Sequence, residues 1–460
     1  MSESFERSQR LVGSSKRDQR NAFQRDRDRI LYTHAFRRLS GVTQVARVGE
    51  SYTFHDRLSH SLKVAQIGRR ITEYFLNETE GPDVPSGLEI HPDVVETSAL
   101  GHDLGHPPFG HAAEKTLNKV ITEDFGVHDG FEGNAQSFRT VARLSAHDEV
   151  EEGLNLTMAS LNALIKYPWE RGDDQSEKNE WGVNEYDKWG HYSTETDVFE
   201  KARTLSSQEK RPCPEACIMD WADDLAYAVH DMEDFYRAGI IPLEQLLERS
   251  VERDEFLEYI ENHSDITWGR GREILDWLRK TGGETLLTPY RGTRKERKQL
   301  DYFSSTLINR YVGREKEGVA LQNTADDAPY LDINENMKQE VELLKKMTYY
   351  YVISNPSLSS QQRGEKKIVE KLFNILYGCT LPDDSEALDK VEQDLMPEDV
   401  GMVPYRFKQE VRHQKEEGTK QTRVRTAADI ICSMTEQQTI LMYERLTGSA
   451  PGSIRDQIVT

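Results

Sequence analysis

Cysteine is scarce in this chain: 460 residues contain only Cys213, Cys217, Cys379 and Cys432. Four cysteines make no disulfide framework. Cys213 and Cys217 are separated by three residues rather than two, with no second pair to match, which excludes a zinc ribbon and leaves ordinary cytosolic thiols. Long apolar runs are also missing. Hydrophobic residues make up 36% of the chain, and nowhere do they gather into the ~20 residues that a membrane span needs. The opening residues, from Met1 to Ser8, lack the apolar segment of a secretory signal. A cytoplasmic protein without membrane contact is therefore expected. Positive charge is in deficit, with 59 Lys and Arg against 80 Asp and Glu and a net charge of −21. Such a surface repels nucleic-acid backbones, which excludes a general nucleic-acid binder but leaves room for a local basic pocket holding a polyphosphate. β-like runs are few, and neither a repeat nor a Gly/Ser linker divides the chain.

What is present is helical periodicity. Residues 1–30 read as a polar N-terminal arm, loose in its first half, with a helix taking over near Asn21. Apolar spacing at Ile30, Leu31, Phe36 and Leu39 continues the helix with a basic face that includes Arg37 and Arg38; Gly41 stops it. A long amphipathic helix is expected over 58–76, burying Leu62, Ala65, Ile67, Ile71 and Phe75. Helices over 93–104, from Glu114 to about 125 and from Phe131 onward follow. The polar stretch 145–212, with a helix over 154–167, reads as an insertion or lid on a core spanning 31–240. Further helices are expected over 214–239, 242–261, 268–281, 333–353, 361–377, 385–394 and 423–447, so that 241–460 completes the same globular unit. The expected fold class is mostly α, with minor β elements near 42–55 and 318–332.

The most informative stretch runs Ala99-Leu-Gly-His102-Asp103-Leu-Gly-His106-Pro-Pro-Phe-Gly-His111-Ala-Ala-Glu114. Imidazole and carboxylate together suit Mn²⁺, Fe²⁺, Ni²⁺, Zn²⁺ or Mg²⁺. Adjacent His and Asp point apart on a helix, so both reach one ion only where the backbone breaks, and Gly105, Pro107, Pro108 and Gly110 supply that break. Alone, this stretch also fits a His-rich surface helix and turn. Upstream stands Arg57-Leu-Ser-His60; downstream, Asp223, Tyr227 and Asp231 recur every fourth residue on one helix face. That acidic face alone is better read as solvated; joined to His60 and His102-Asp103, it reads as part of a site. The order His, His-Asp, Asp is the metal-binding pattern of the HD phosphohydrolases. A His/His/Asp/Asp set leaves positions on a metal open for water and a phosphate oxygen. His111 suits proton transfer, and Glu114, one turn on, suits its orientation.

Surrounding residues narrow the likeness. Ala99 to Glu114, Phe36-Arg-Arg-Leu with Thr43-Gln44-Val45, Arg57 to Leu62, Phe131 to Arg139 and Ala222 to Asp234 together resemble the deoxyguanosinetriphosphate triphosphohydrolase-like family. The likeness covers roughly 20–240; Lys63 departs from it, standing where bacterial members often carry Glu. It implies an HD-domain helical fold that hydrolyses a deoxynucleoside triphosphate, dGTP foremost, to deoxynucleoside and tripolyphosphate by water attack on the α-phosphorus. Carried over by position, His60, His102, Asp103 and Asp223 hold the divalent metal, and His111 and Glu114 form the catalytic pair. Gln44 and Asp231 bond the sugar 3′-hydroxyl, Tyr227 lies under the sugar, Arg57 meets phosphate, and Arg291 is a looser phosphate candidate. A hexamer or tetramer, with nucleotide or single-stranded DNA as effector, is the family expectation. Two alternatives remain: an HD phosphohydrolase acting on another phosphoester, and a non-catalytic nucleotide sensor.

Overall fold

Local signals start and stop the helices much as the sequence predicts. A computed structural model describes residues 6–13, 19–45, 54–77, 84–85, 88–146, 153–172, 188–206, 210–314, 318–323, 329–382, 403–404 and 407–449. In order, its helices begin with α1 (Ala22–Leu31), α2 (His34–Arg38), α3 (Arg57–Phe75), α4 (Pro92–Gly101), α5 (Gly110–Lys119) and α6 (Gly133–Arg139). There follow α7 (Met158–Ala163), α8 (Thr196–Arg203), α9 (Pro214–Arg237), α10 (Leu243–Leu247), α11 (Val251–His263), α12 (Trp268–Gly282) and α13 (Arg294–Asn309). An antiparallel hairpin of β1 (Val319–Asn323) and β2 (Pro329–Ile333) leads into α14 (Glu335–Thr348) and α15 (Pro356–Cys379). The chain closes with α16 (Lys408–Glu417), α17 (Lys420–Cys432) and α18 (Glu436–Leu446).

Three helices build the centre. The side chains of α3 at Val64, Ile67, Ile71 and Phe75 recur at helical spacing and are buried, facing α4 and α9. Gly68 lets the three meet: a Cβ there would lie 2.9 Å from Val95 Cγ1 and 3.5 Å from the Cβ of Ala222. This crossing places the start of α3, the end of α4 and the middle of α9 side by side. A second apolar core is built elsewhere, from Phe109, Ala113 and Leu117 on and before α5 together with α15, α17 and α18.

Several expectations are corrected. Leu62 is 46% exposed rather than buried: it sits on the opposite side of α3 from Val64 and Ile71, and one apolar residue does not rotate a helix. The arm is not loose at residues 6–13; Arg10 is buried against Asp26 at 2.6 Å, and Arg7 pairs with Glu215. The helix expected over 154–167 is only Met158–Ala163, capped by Thr157, with Asn155 just before it in the left-handed region (φ 47°). The helix expected over 423–447 is two, broken at Ser433–Thr435, where Thr435 and Gln438 form a capping box that starts α18. Near 42–55 the β element reduces, among the described residues, to the single bridge Thr43–Asp56. The expected helix at 385–394 lies outside the described residues. In the described parts of the 145–212 stretch, read as an insertion or lid, Trp169, Trp189 and Tyr192 are buried.

Candidate active site

The break in the His-rich stretch is where the sequence puts it. Helix α4 ends at Gly101, and the turn through Gly105 and Pro108 delivers Phe109 into the left-handed region (φ 69°, ψ 15°) immediately before α5. For a bulky residue that conformation costs on the order of 1–3 kcal/mol, so neighbours must hold it. The turn separates two groups of side chains, one on each side.

On one side, His60 from α3, His102 from the end of α4 and Asp223 from α9 bring a ligand atom each to within 4.8 Å of one another. His60 Nε2 lies 2.9 Å from Asp223 Oδ1, and His102 Nε2 lies 3.7 Å from the same oxygen. His102 Nδ1 is 2.6 Å from the Ala99 carbonyl, a contact that requires Nδ1 to donate and leaves the Nε2 lone pair facing Asp223. Two buried imidazoles and a half-buried carboxylate, converging on one point, are a donor set that fits a divalent cation. Asp103 stands beside them, its Oδ2 3.6 Å from His102 Nε2. The same oxygen meets Arg57 at 2.8 Å, while Oδ1 meets His106 Nδ1 at 2.9 Å. Burial alone would raise both carboxyls. Arg57 with His102 and His106 at Asp103, and Lys166 with His102 and His60 at Asp223, outweigh it and hold both below the usual carboxylate range. Burial, with Arg57 adding, pushes His106 down to about 4, so its ring is neutral.

On the other side of the turn, His111 projects outward, its side chain 67% exposed, with Nδ1 2.7 Å from Glu114 Oε2. Glu114 is buried, and its other oxygen accepts from Gly133 N at 3.1 Å and from Lys188 Nζ at 3.0 Å. Desolvation opposes its charge, yet Lys188 and His111 keep the carboxyl well below its ordinary range. Glu114 thus orients the imidazole with Nε2 free toward solvent, the posture of a proton-transfer pair.

Both groups open into one cavity of about 420 Å³, whose wall includes Gln44, Arg57, His102, Asp103, His111, Asp223 and Tyr227. His60 stands behind Asp223, and Glu114 behind His111. Asp231 is not on the wall; it lies one turn beyond Tyr227, nearly fully buried, with burial and the carboxylates of Asp234 and Asp223 raising its pKa. Arg291 is absent from the wall too. It sits in an exposed loop, its backbone N–H bonded to Glu296 at 3.2 Å. Lys63, the departure noted above, faces Glu233, Asp234 and Asp231, whose charges oppose the lowering of its pKa by burial.

Three lysines of the wall escaped the sequence reading: Lys166, Lys188 and Lys345. Lys166 lies 3.3 Å from Asp223 Oδ2 and pairs with Asp220. Lys188 spans Glu114 and Glu132, the latter at 3.1 Å, and Lys345 meets Asp224 at 2.9 Å. A polyanion site in so acidic a chain requires local cations, which was the available signal; which lysines supply them depends on tertiary structure.

Comparison with known proteins adds the lineage. Residues 57–228 match the HD domain, and residues 331–445 match the phosphohydrolase-associated domain. A deoxyguanosinetriphosphate triphosphohydrolase-like protein of Streptomyces coelicolor is 33% identical over 453 residues, covering 94% of each chain. One of the same description from Bifidobacterium longum is 30% identical, covering 94% of this chain and 84% of its own, and one from Shewanella baltica is 28% identical, covering 95% and 94%. Among solved structures, a phosphohydrolase from Bacteroides thetaiotaomicron aligns with 92% of this chain and 68% of its own at 11% identity and a TM-score of 0.31, too remote to bear on the site. A mostly helical fold, the two domain matches and a third of all residues shared end to end give one result: this chain belongs to the deoxyguanosinetriphosphate triphosphohydrolase-like family of HD-domain phosphohydrolases.

Proposed function

We propose that the protein hydrolyses deoxynucleoside triphosphates, dGTP foremost, to the deoxynucleoside and inorganic tripolyphosphate, with water attacking the α-phosphorus. The observation that carries this reading is the convergence of a cation-fitting His/His/Asp cluster and an oriented His–Glu pair on one cavity with three lysines on its wall. A volume of about 420 Å³ falls within the range of sites that enclose a small ligand. His60, His102 and Asp223, with Asp103 alongside, would hold the metal; a divalent ion there would polarise the phosphorus and acidify water. Arg57, Lys166, Lys188 and Lys345 bind and orient the triphosphate. His111 Nε2 moves the proton at the leaving or attacking oxygen, with Glu114 stabilising the imidazolium. Gln44 takes the 3′-hydroxyl, and the Tyr227 ring closes the space where a 2′-hydroxyl would sit, which disfavours ribonucleotides.

The buried carboxyl of Asp231 joins the sugar contacts only where substrate binding brings it to the wall. The test is anion chromatography of products from each dNTP and from GTP with Mn²⁺ or Mg²⁺, beside a chelator-treated sample and His102→Ala. Tripolyphosphate from dNTPs alone, lost on chelation and in the variant, is the expected result. Orthophosphate or pyrophosphate would move the protein to another phosphoester reaction, and absence of any turnover would leave a nucleotide sensor.

A further inference from the structure

The phosphohydrolase-associated region gives the cavity wall Lys345, and behind the wall it reaches the site through a buried carboxylate. Glu436, the first residue of α18, is buried. Its Oε1 accepts two backbone N–H bonds from segments far away in sequence: Thr43 N at 2.9 Å and Phe109 N at 3.2 Å. Thr43 adjoins Gln44 and bridges to Asp56, the cap of α3, while Arg57 N donates to the Val42 carbonyl at 3.1 Å. Phe109 is the left-handed residue from which α5 carries His111 and Glu114 into place. A single oxygen therefore pins both lips of the cavity, the one bearing Gln44 and Arg57 and the one bearing His111. Arg38 reinforces the contact from the other direction, donating to the carbonyls of Met434 at 3.0 Å, Leu104 at 3.0 Å and His106 at 2.7 Å. Buried N–H groups need acceptors, and a strained turn persists only where its surroundings fix it.

We infer that Glu436 is a positioning residue that sets the register between the sugar-side lip and the catalytic helix, and that this is the task of the start of α18. The inference deepens the function proposed above and rests on it for its kinetic readout; its structural readout is independent. Because both amides converge on Oε1, one carbonyl oxygen suffices and the negative charge is not required. Glu436→Gln therefore retains activity within about threefold, whereas Glu436→Ala loses at least ~10²-fold in kcat, as expected when reacting groups are displaced by about an ångström.

The decisive experiment measures amide hydrogen exchange at Thr43 and Phe109 in the wild type, Glu436→Gln and Glu436→Ala, together with kcat and KM for dGTP and for 2′,3′-dideoxyguanosine triphosphate. The expected result is faster exchange at those two amides in the alanine variant, with unchanged exchange in α3, α4 and α9, and a smaller penalty for removing the 3′-hydroxyl. Unaltered exchange at Thr43 and Phe109 in Glu436→Ala overturns the inference, as does a glutamine variant as impaired as the alanine one. If no variant and no wild-type sample hydrolyses any nucleotide, the functional reading falls while the exchange data still decide on Glu436. Uniformly faster exchange across all helices would show a merely structural residue and count against it.

Discussion

At the scale of single residues, the site divides into side chains legible from spacing and side chains that only folding assembles. His102, Asp103, His111 and Glu114 stand within one stretch, and His60 and Asp223 follow a known order, so sequence alone reaches them. Lys166, Lys188, Lys345 and Glu436 carry no local signature; each acquires meaning from a partner on another element. The His111–Glu114 pair yields a direct prediction. His111→Ala should lower kcat by ~10²–10⁴-fold, the usual worth of a general acid or base, with KM nearly unchanged because the imidazole is mostly exposed and the lysines remain. Steady-state kinetics on dGTP checks it, and a loss below about threefold would remove His111 from the chemistry.

At the scale of elements, the helix starts were predictable where a capping residue announces them, and the ends less so. Asn21 with Gln24 and Asp56 with Ser59 cap α1 and α3 in the expected places, whereas α7 stopped short and α17 and α18 separated because tertiary packing and a Thr435 cap overrode a continuous apolar pattern. One cap is an imidazole. His91 opens α4, and its Nδ1 accepts from Asp93 N at 3.1 Å, a bond that only the neutral ring can make. Burial, with help from Arg7 and Arg69, lowers its pKa in the fold, while the unfolded chain binds the proton near ~6.5. The unfolded state therefore holds more protons below that pH. The contribution is complete above ~6.5 and is lost as pH falls toward the folded value. A half-exposed cap of this kind is worth about 0.5–1 kcal/mol. Urea unfolding of the wild type and His91→Asn at pH 7.5 and about 5.5 should show the smaller acid-induced loss in the variant; equal losses would exclude the cap as the cause.

At the scale of the whole molecule, the site lies on a seam. The His60/His102/Asp223 cluster belongs to the core of α3, α4 and α9, but α5 turns its apolar face, Ala113 and Leu117, to the core shared with α15, α17 and α18. Arg139 crosses the same seam, bonding Asp429 at 2.9 Å and pairing with Glu195. The HD match alone is therefore expected not to suffice for activity. A chain ended after Ile353 retains residues 57–228 intact, yet it should leave the back of α5 in water and lose more than ~10²-fold in activity, since burial of Leu117 and of Ile121 just beyond the helix is together worth about 4 kcal/mol. Proteolytic resistance of 105–119 checks the cause: a fragment as resistant there as the full chain would refute it. The likeness recognised in the sequence covered mainly 20–240, so this dependence on the far half was not legible from it.

The three cavity lysines have a consequence of their own. Each ammonium group already holds a carboxylate: Lys166 has Asp220 and Asp223, Lys188 has Glu114 and Glu132, and Lys345 has Asp224. On the proposed function, an incoming triphosphate would displace those carboxylates, and their return would expel the product. The cavity would then behave as a self-regenerating ion exchanger, its acidic residues acting as competitors that keep a highly charged product from lingering. Asp220→Asn, which removes one competitor, should tighten inhibition by tripolyphosphate roughly threefold or more, and an unchanged inhibition constant would show that release has another cause.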